Sequence, residues 1–460
     1  MFGQSGYQSL DPAANRSRRK RRLLAASMVL FGLIALGSLW HTAPQVTALL
    51  LKPDTCNPYA LPGMLAYEPN DPHANRWHPF AGMRDETDPE LRSDVKADAC
   101  AQPAPALAAA FVRASWSAVP PSLPSNESAL EPDFASAALG PDGRPWEDVE
   151  FARNRTVVFL GDSISRFTTK YFCDMVGERV IELNWQHPWA PAEILKDGST
   201  REEPERDDAH LDPFGWHLLP PADPGSHLAH YCYAPGMDFL LIHLHAYGLD
   251  EEDFWKSKPS YIPPYTFEDR VHRLVRPYLN RIRATTGRGA SAPELVYVNS
   301  GMWDVMRFAH EDIAADKSIA STLGSTRLAW YRRRVRDALT FVVREFPQAA
   351  VYWSASHYPI KASNGWFFGD IKPKHRPDIK LLRLAEMHGA AMSAFEDTAD
   401  ASPEDKAALD RVELGRWGLA MTGQEDHQID DLHPTFLPGG YLWADMALWD
   451  LRHEVRRRGL

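Results

Sequence analysis

Across 460 residues the net charge is -11 and 44% of residues are hydrophobic, the make-up of a globular protein with room for a large core. Residues 1–22 hold six Arg/Lys against one Asp, a local +5, so the remainder carries -16. A body that acidic weighs against nucleic-acid binding, whose footprint is a basic surface.

The basic run Arg16–Arg22, with Ser17 inside it, leads into LLAASMVLFGLIALGSLW, residues 23–40, which has no charge and is long enough to cross a thin bilayer. Positive charge before this span and none just after it predicts a cytosolic tail (1–22), a transmembrane helix (23–40) and a lumenal remainder. A cleaved signal peptide would also start with basic residues. The apolar run is longer than a usual signal core and no small-x-small site follows, so a signal anchor is expected.

Residues 41–145 are rich in Pro, Ala and Ser, with PAPALAAA and PPSLPSNES as the loosest stretches, and read as a stem. The Trp and Cys content of residues 56–100 predicts that part of it packs. In an oxidising lumen the four cysteines permit three pairings. Keeping each pair within one region gives Cys56 with Cys100 and Cys173 with Cys232. Sequons occur at Asn126 and Asn154; the latter abuts a predicted buried strand, so Asn126 is the better acceptor.

From residue 146 onward the pattern becomes regular. TVVFL (156–160), DFLLIHLH (238–245), ELVYVN (294–299) and AVYWSAS (350–356) read as buried strands. Helices are predicted between them: one with Val271, Leu274, Val275, Tyr278, Leu279 and Ile282 on one face, capped by Thr266 with Asp269 and ended by Gly287; a second over 326–346; a third over 378–395. This alternation predicts parallel strands with right-handed crossovers, a three-layer α/β domain over 146–460. Residues 186–235 read as a polar surface excursion. In such folds ligands sit beyond the carboxyl ends of the strands, at 161–166, 246–248, 299–303 and 356–359.

At the first of these ends stands VVFLGDSISR, residues 157–166. Gly161 allows a tight strand-to-helix corner, and Ser163 then starts a helix whose free N–H groups face any oxyanion formed there. A hydroxyl is a weak nucleophile until a base takes its proton. IDDLHPTFLPGG (429–440) offers one: Asp430 and His433 are three apart, so one turn can present an imidazole and the carboxylate that orients it. Taken alone, each block reads equally as a helix cap or a surface histidine.

FLGDSISR, VNSGMWD (298–304) and DDLHPTFLPG resemble, in order and context, the motifs of the GDSL-type or SGNH hydrolase superfamily. They are most similar to its membrane-anchored PC-esterase branch, which includes plant trichome-birefringence-like polysaccharide O-acetyltransferases and fungal capsule O-acetylation proteins. The resemblance spans roughly 150–450. It implies an SGNH-like fold, Ser163 as nucleophile, His433 as base and Asp430 as its partner. It further implies an oxyanion hole or substrate wall built from Gly161, Asp162, Asn299, Gly301, Gly248 and Arg166. Ile164 and Ser165 depart from the plant GDSLNR pattern, and Asp431 and Thr435 stand where plant members carry cysteines, which argues against a plant-type substrate.

Other residues compete for roles. His243 and His245 share a strand face but lack a third ligand at suggestive spacing, so no metal is expected. His357 reads as a substrate contact or alternative base, His427 as the nearest competitor to His433, and Asp431 as an alternative to Asp430. Trp185, Trp189, Trp303, Trp353 and Trp366 include candidates for stacking on sugar rings. The expectation is a Golgi or secretory-pathway O-acetyltransferase acting on a glycan, with no bound cofactor and an unidentified acetyl donor, supplied by a multispanning membrane partner. An acetyl esterase would use the same residues with water, and a silent glycan-binding scaffold would use none.

Overall fold

All four runs read as strands contain strands, and the strand within each is buried throughout, as β-branched and aromatic residues on a doubly covered sheet should be. The computed structural model describes residues 57–79, 104–117, 139–183, 185, 192–200, 228–280, 292–359 and 381–460, with breaks at 62, 141–142, 196–198, 252–253, 258–260, 320 and 431. The basic tail, the span 23–40, Cys56, Cys100, Asn126, Trp189, Trp366 and Asp431 lie outside the described residues. None of the described helices is long and apolar enough to cross a membrane.

A hairpin of β1 (Gly63–Ala66) and β2 (Arg76–Pro79) precedes the main body. The central sheet holds β3 (Thr156–Gly161), β4 (Ile181–Leu183), β5 (Ala229–Ala234), β6 (Phe239–His245), β7 (Leu295–Val298), β8 (Ala350–Ser354) and β9 (Val412–Gly415). Their order is β4-β5-β6-β3-β7-β8-β9. Strands β6, β3, β7, β8 and β9 run parallel; β5 is antiparallel to β6, and β4 to β5. The sheet is therefore mostly, not wholly, parallel. From β3 the chain moves to one side for β4, β5 and β6 and returns to the other for β7. That makes the end of β3 the switch point, where a crevice opens.

The principal helices are α1 (Leu107–Ser117), α2 (Ser163–Met175), α3 (Phe267–Arg270), α4 (Met302–Ala314), α5 (Gly324–Glu345), α6 (Leu381–Glu396), α7 (Pro403–Leu409), α8 (Trp417–Ala420) and α9 (Tyr441–Arg458). Phe159, Tyr297 and Tyr352 are in register on β3, β7 and β8. They face α9: Phe159 packs on Trp443, Tyr297 Oη donates to Asp450 and Tyr352 Oη to Glu454. Trp353, one residue on from Tyr352, must point to the other face. It lines a small cavity there with Tyr331 of α5 and Leu384 and Met387 of α6. Helices thus cover both faces, and the body has three layers.

Two expectations need correction. PAPALAAA is not loose: Leu107, Ala108 and Ala109 are fully buried in α1, whose Phe111 packs on Phe172 and Phe239. A stem made of 41–145 therefore gives up residues 104–117 to the α/β body. Second, the end of the 186–235 excursion is β5, which the Cys173–Cys232 disulfide ties to α2. The tight corner expected at Gly161 is there, made without a left-handed conformation. Glycine is needed for space, because a Cβ there would lie 2.6 Å from Ser165 Oγ and 3.1 Å from Asn299 Cβ.

Candidate active site

Asp162 caps α2, its Oδ1 accepting from Ile164 N–H at 2.9 Å, and this cap sets Ser163 on the first helical turn. Ser163 is buried, and its N–H, like that of Gly248, has no hydrogen-bond partner among the described residues. The segments that carry them are tied together just upstream, where Ala246 N–H donates to the Gly161 carbonyl at 2.7 Å. Beneath this corner lies buried His243. Its Nε2 sits 3.2 Å from the Gly161 carbonyl and 3.0 Å from that of Asp162, so it must carry the proton and donate.

The base arrives on a compact loop between α8 and α9. Ile429 N–H donates to the His433 carbonyl at 2.8 Å, closing a narrow turn in which Gln428 bridges Pro434. Within it the Asp430 carboxylate accepts the main-chain N–H of Leu432 (3.3 Å) and His433 (2.9 Å) and faces His433 Nδ1 at 2.8 and 2.9 Å. Burial pushes the Asp430 carboxyl up, but these donors, the His433 ring first, outweigh it and hold it at about 2. An ionised carboxylate only accepts, so Nδ1 carries the ring proton and Nε2 presents its lone pair. Ser163 Oγ lies 2.6 Å from that Nε2. The Phe167 ring, 4.5 Å away centre to centre, walls the imidazole.

Around this line the remaining predicted residues divide. Gly248 adopts φ +84°, and a Cβ there would come within 2.7 Å of the Asp304 carboxylate, so only glycine lets the β6 loop lie on α4. Asp304 in turn accepts from Leu249 N–H at 2.9 Å; burial raises it to about 6. Gly301 caps α4 at φ +145°. Asn299 differs from the expected oxyanion donor. Its amide donates to the Ser354 carbonyl at 2.7 Å and to Ser356 Oγ at 3.2 Å, committing both N–H groups to the end of β8 and the residues just after it and leaving buried Oδ1 without a partner among the described residues. A flipped amide would set oxygen against the Ser354 carbonyl, so the orientation is dictated by chemistry. Arg166 is half-buried over the Phe167 ring; burial lowers its pKa against the pull of Glu182, Asp162 and Asp430. Burial likewise raises Asp162 to about 6.

The competitors fall elsewhere. His427 packs against Tyr67, 4.8 Å between ring centres, rather than against Ser163. His357 is buried on the Leu432 carbonyl. His245 packs among Tyr247 and Trp303, and no three acidic, His or Cys residues gather as a metal site among the described residues. Trp303 and Trp353 are buried, and with Trp255 they fill space instead of offering a stacking face. What sequence reasoning missed is the pair of histidines on main-chain carbonyls, because a carbonyl partner leaves no residue-type signal. Comparison with protein-family models, curated proteins and solved structures returned no match.

Proposed function

We propose that this chain is an acyl-transferring enzyme of the SGNH type that moves acetyl groups onto glycan hydroxyls in the secretory lumen. The observation that carries the reading is the unbroken line from Ser163 Oγ through His433 to Asp430, assembled from segments 270 positions apart. A serine 2.6 Å from an imidazole whose other nitrogen is held by a carboxylate is the arrangement acyl transfer requires.

In the first half-reaction the Ser163 hydroxyl gives its proton to His433 Nε2 as Oγ bonds to the acyl carbon. The oxyanion lies against the Ser163 and Gly248 N–H groups. It collapses as His433 returns the proton to the departing oxygen, leaving an acyl-serine. In the second, an acceptor hydroxyl gives its proton to His433, takes the acyl group and restores Ser163 Oγ–H. Sugar hydroxyl or water can fill this role with the same residues, so acceptor binding and water exclusion separate transferase from esterase.

The test is incubation of the full-length protein with an acetyl ester, with and without an oligosaccharide, beside Ser163→Ala. Acetylated sugar supports transfer. Acetate release indifferent to the sugar identifies an esterase, and equal behaviour of Ser163→Ala rejects both in favour of a silent scaffold.

A further inference from the structure

The loop carrying the base is gripped from outside by a buried imidazole. His357 follows β8, is 1% exposed, and its Nε2 lies 2.7 Å from the carbonyl of Leu432, the residue before His433. A carbonyl only accepts, so Nε2 carries the proton and Nδ1, buried without a hydrogen-bond partner among the described residues, is the bare nitrogen. One contact holds the ring and another the backbone just before it. Trp417 packs edge-on at 5.4 Å, and Gly418 brings α8 so close to residues 355–356 that a Cβ there would lie 2.0 Å from the Ala355 carbonyl. The same frame holds the rest of the loop: Trp417 Nε1 donates to the Gly439 carbonyl (2.9 Å), Tyr171 Oη to that of Pro434 (2.9 Å), and Gln428 Nε2 to that of Tyr358 (2.9 Å).

We propose that His357 is the positioning residue of the base: its N–H on the Leu432 carbonyl orients residues 432–433 so that one imidazole meets both Ser163 and Asp430. This rests on the Ser163 reading and extends it. The choice of side chain has a chemical reason. His433 becomes cationic during acyl transfer, and a lysine or arginine donor beside it would oppose that charge. Burial, with the nearby His433 adding to it against the Leu432 bond and Glu425, lowers His357 to about 4. The ring therefore donates without carrying charge at neutral pH.

The test uses the full-length protein with a fluorophosphonate that labels activated serine and with p-nitrophenyl acetate. His357→Phe keeps the ring packing and removes the donor; His357→Gln restores an N–H at similar reach. The expected result is a fall in labelling and kcat of about 10- to 100-fold for the phenylalanine variant at little-changed KM, the scale of a misplaced catalytic group, and recovery of most of it by glutamine. Wild-type kinetics in folded His357→Phe, or glutamine no better than phenylalanine, overturns the proposal. A measurement independent of any variant is the 15N spectrum of labelled histidine: an Nε2–H tautomer at His357 supports the clamp, and an Nδ1–H tautomer overturns it. If the unaltered chain neither labels nor hydrolyses, the Ser163 reading itself fails and takes this inference with it. Equal labelling of unaltered and phenylalanine chains removes only the inference.

Discussion

Replacing Asp430 with Asn tests the proton line at its most informative atom. The asparagine oxygen can still accept the Leu432 and His433 main-chain N–H groups, so the turn should survive. Its amide nitrogen, however, would face His433 Nδ1, now 2.8 Å from a carboxylate oxygen. An N–H there turns Nδ1 into the acceptor and moves the ring proton to Nε2, opposite Ser163 Oγ, where a base is needed. Two costs add. Restoring the working tautomer forfeits one hydrogen bond, about 1 kcal/mol. The imidazolium also loses an anionic partner, about 4 kcal/mol for a near-surface pair and nearer 2–3 here because a third of the Asp430 side chain is exposed. Together they predict a fall in kcat of roughly 200- to 900-fold, at tenfold per 1.36 kcal/mol, below the roughly 10⁴-fold of a fully buried triad. The assay is p-nitrophenyl acetate hydrolysis from pH 5 to 10 by the full-length protein, with thermal unfolding as the folding control. A folded Asp430→Asn protein within tenfold of wild-type kcat would refute the assignment of Asp430 and the tautomer argument with it.

Three further outcomes follow from the packing. Gly248→Ala introduces a Cβ within 2.7–2.9 Å of the Asp304 carboxylate at a left-handed φ, so a loss of about 2–4 kcal/mol is expected in urea unfolding, with ester turnover falling alongside. Burial pushes Asp445 up to about 7 against Arg76 and the Ala108 and Leu107 N–H groups. The folded state therefore binds a proton that the unfolded state releases near pH 4, and stability from this group is full below pH 4 and lost as pH rises to 7. Asp445→Asn keeps an acceptor for Ala108 N–H and should flatten that loss, gaining up to about 4 kcal/mol at pH 8 but not at pH 4; parallel urea midpoints at both pH values would disprove it. Serine at both Cys173 and Cys232 opens a link spanning 59 positions between α2 and β5. The expected cost is about 4 kcal/mol, read as a lower melting temperature, and an unchanged one would show that the bond does not constrain the chain.

How much was legible depended on where the information lay. β3, β6, β7 and β8 are continuous apolar runs, and burial on both faces forces such composition, so they were readable. β5 was not: Ala229–Ala234 mixes His, Tyr and Cys, and its burial comes from pairing with β6 and from a disulfide to a helix more than fifty residues earlier. β9 is four residues long with Glu413 inside it, too short to show a period. α1 hid in a Pro/Ala stretch whose alanines look like linker and are buried because the helix lies close against the body.

The sequence by itself determined the α/β class, the corner at Ser163 and the Asp430–His433 spacing, since each is written in local composition or in separation along the chain; among the three pairings the cysteines allow, it was the structure that joined Cys173 to Cys232. Only the tertiary structure decided that His433 rather than His427 meets Ser163, that Asn299 spends its amide on β8, and that His357 grips the base loop. Those outcomes rest on distances between segments remote in sequence, and on main-chain carbonyls that every residue shares.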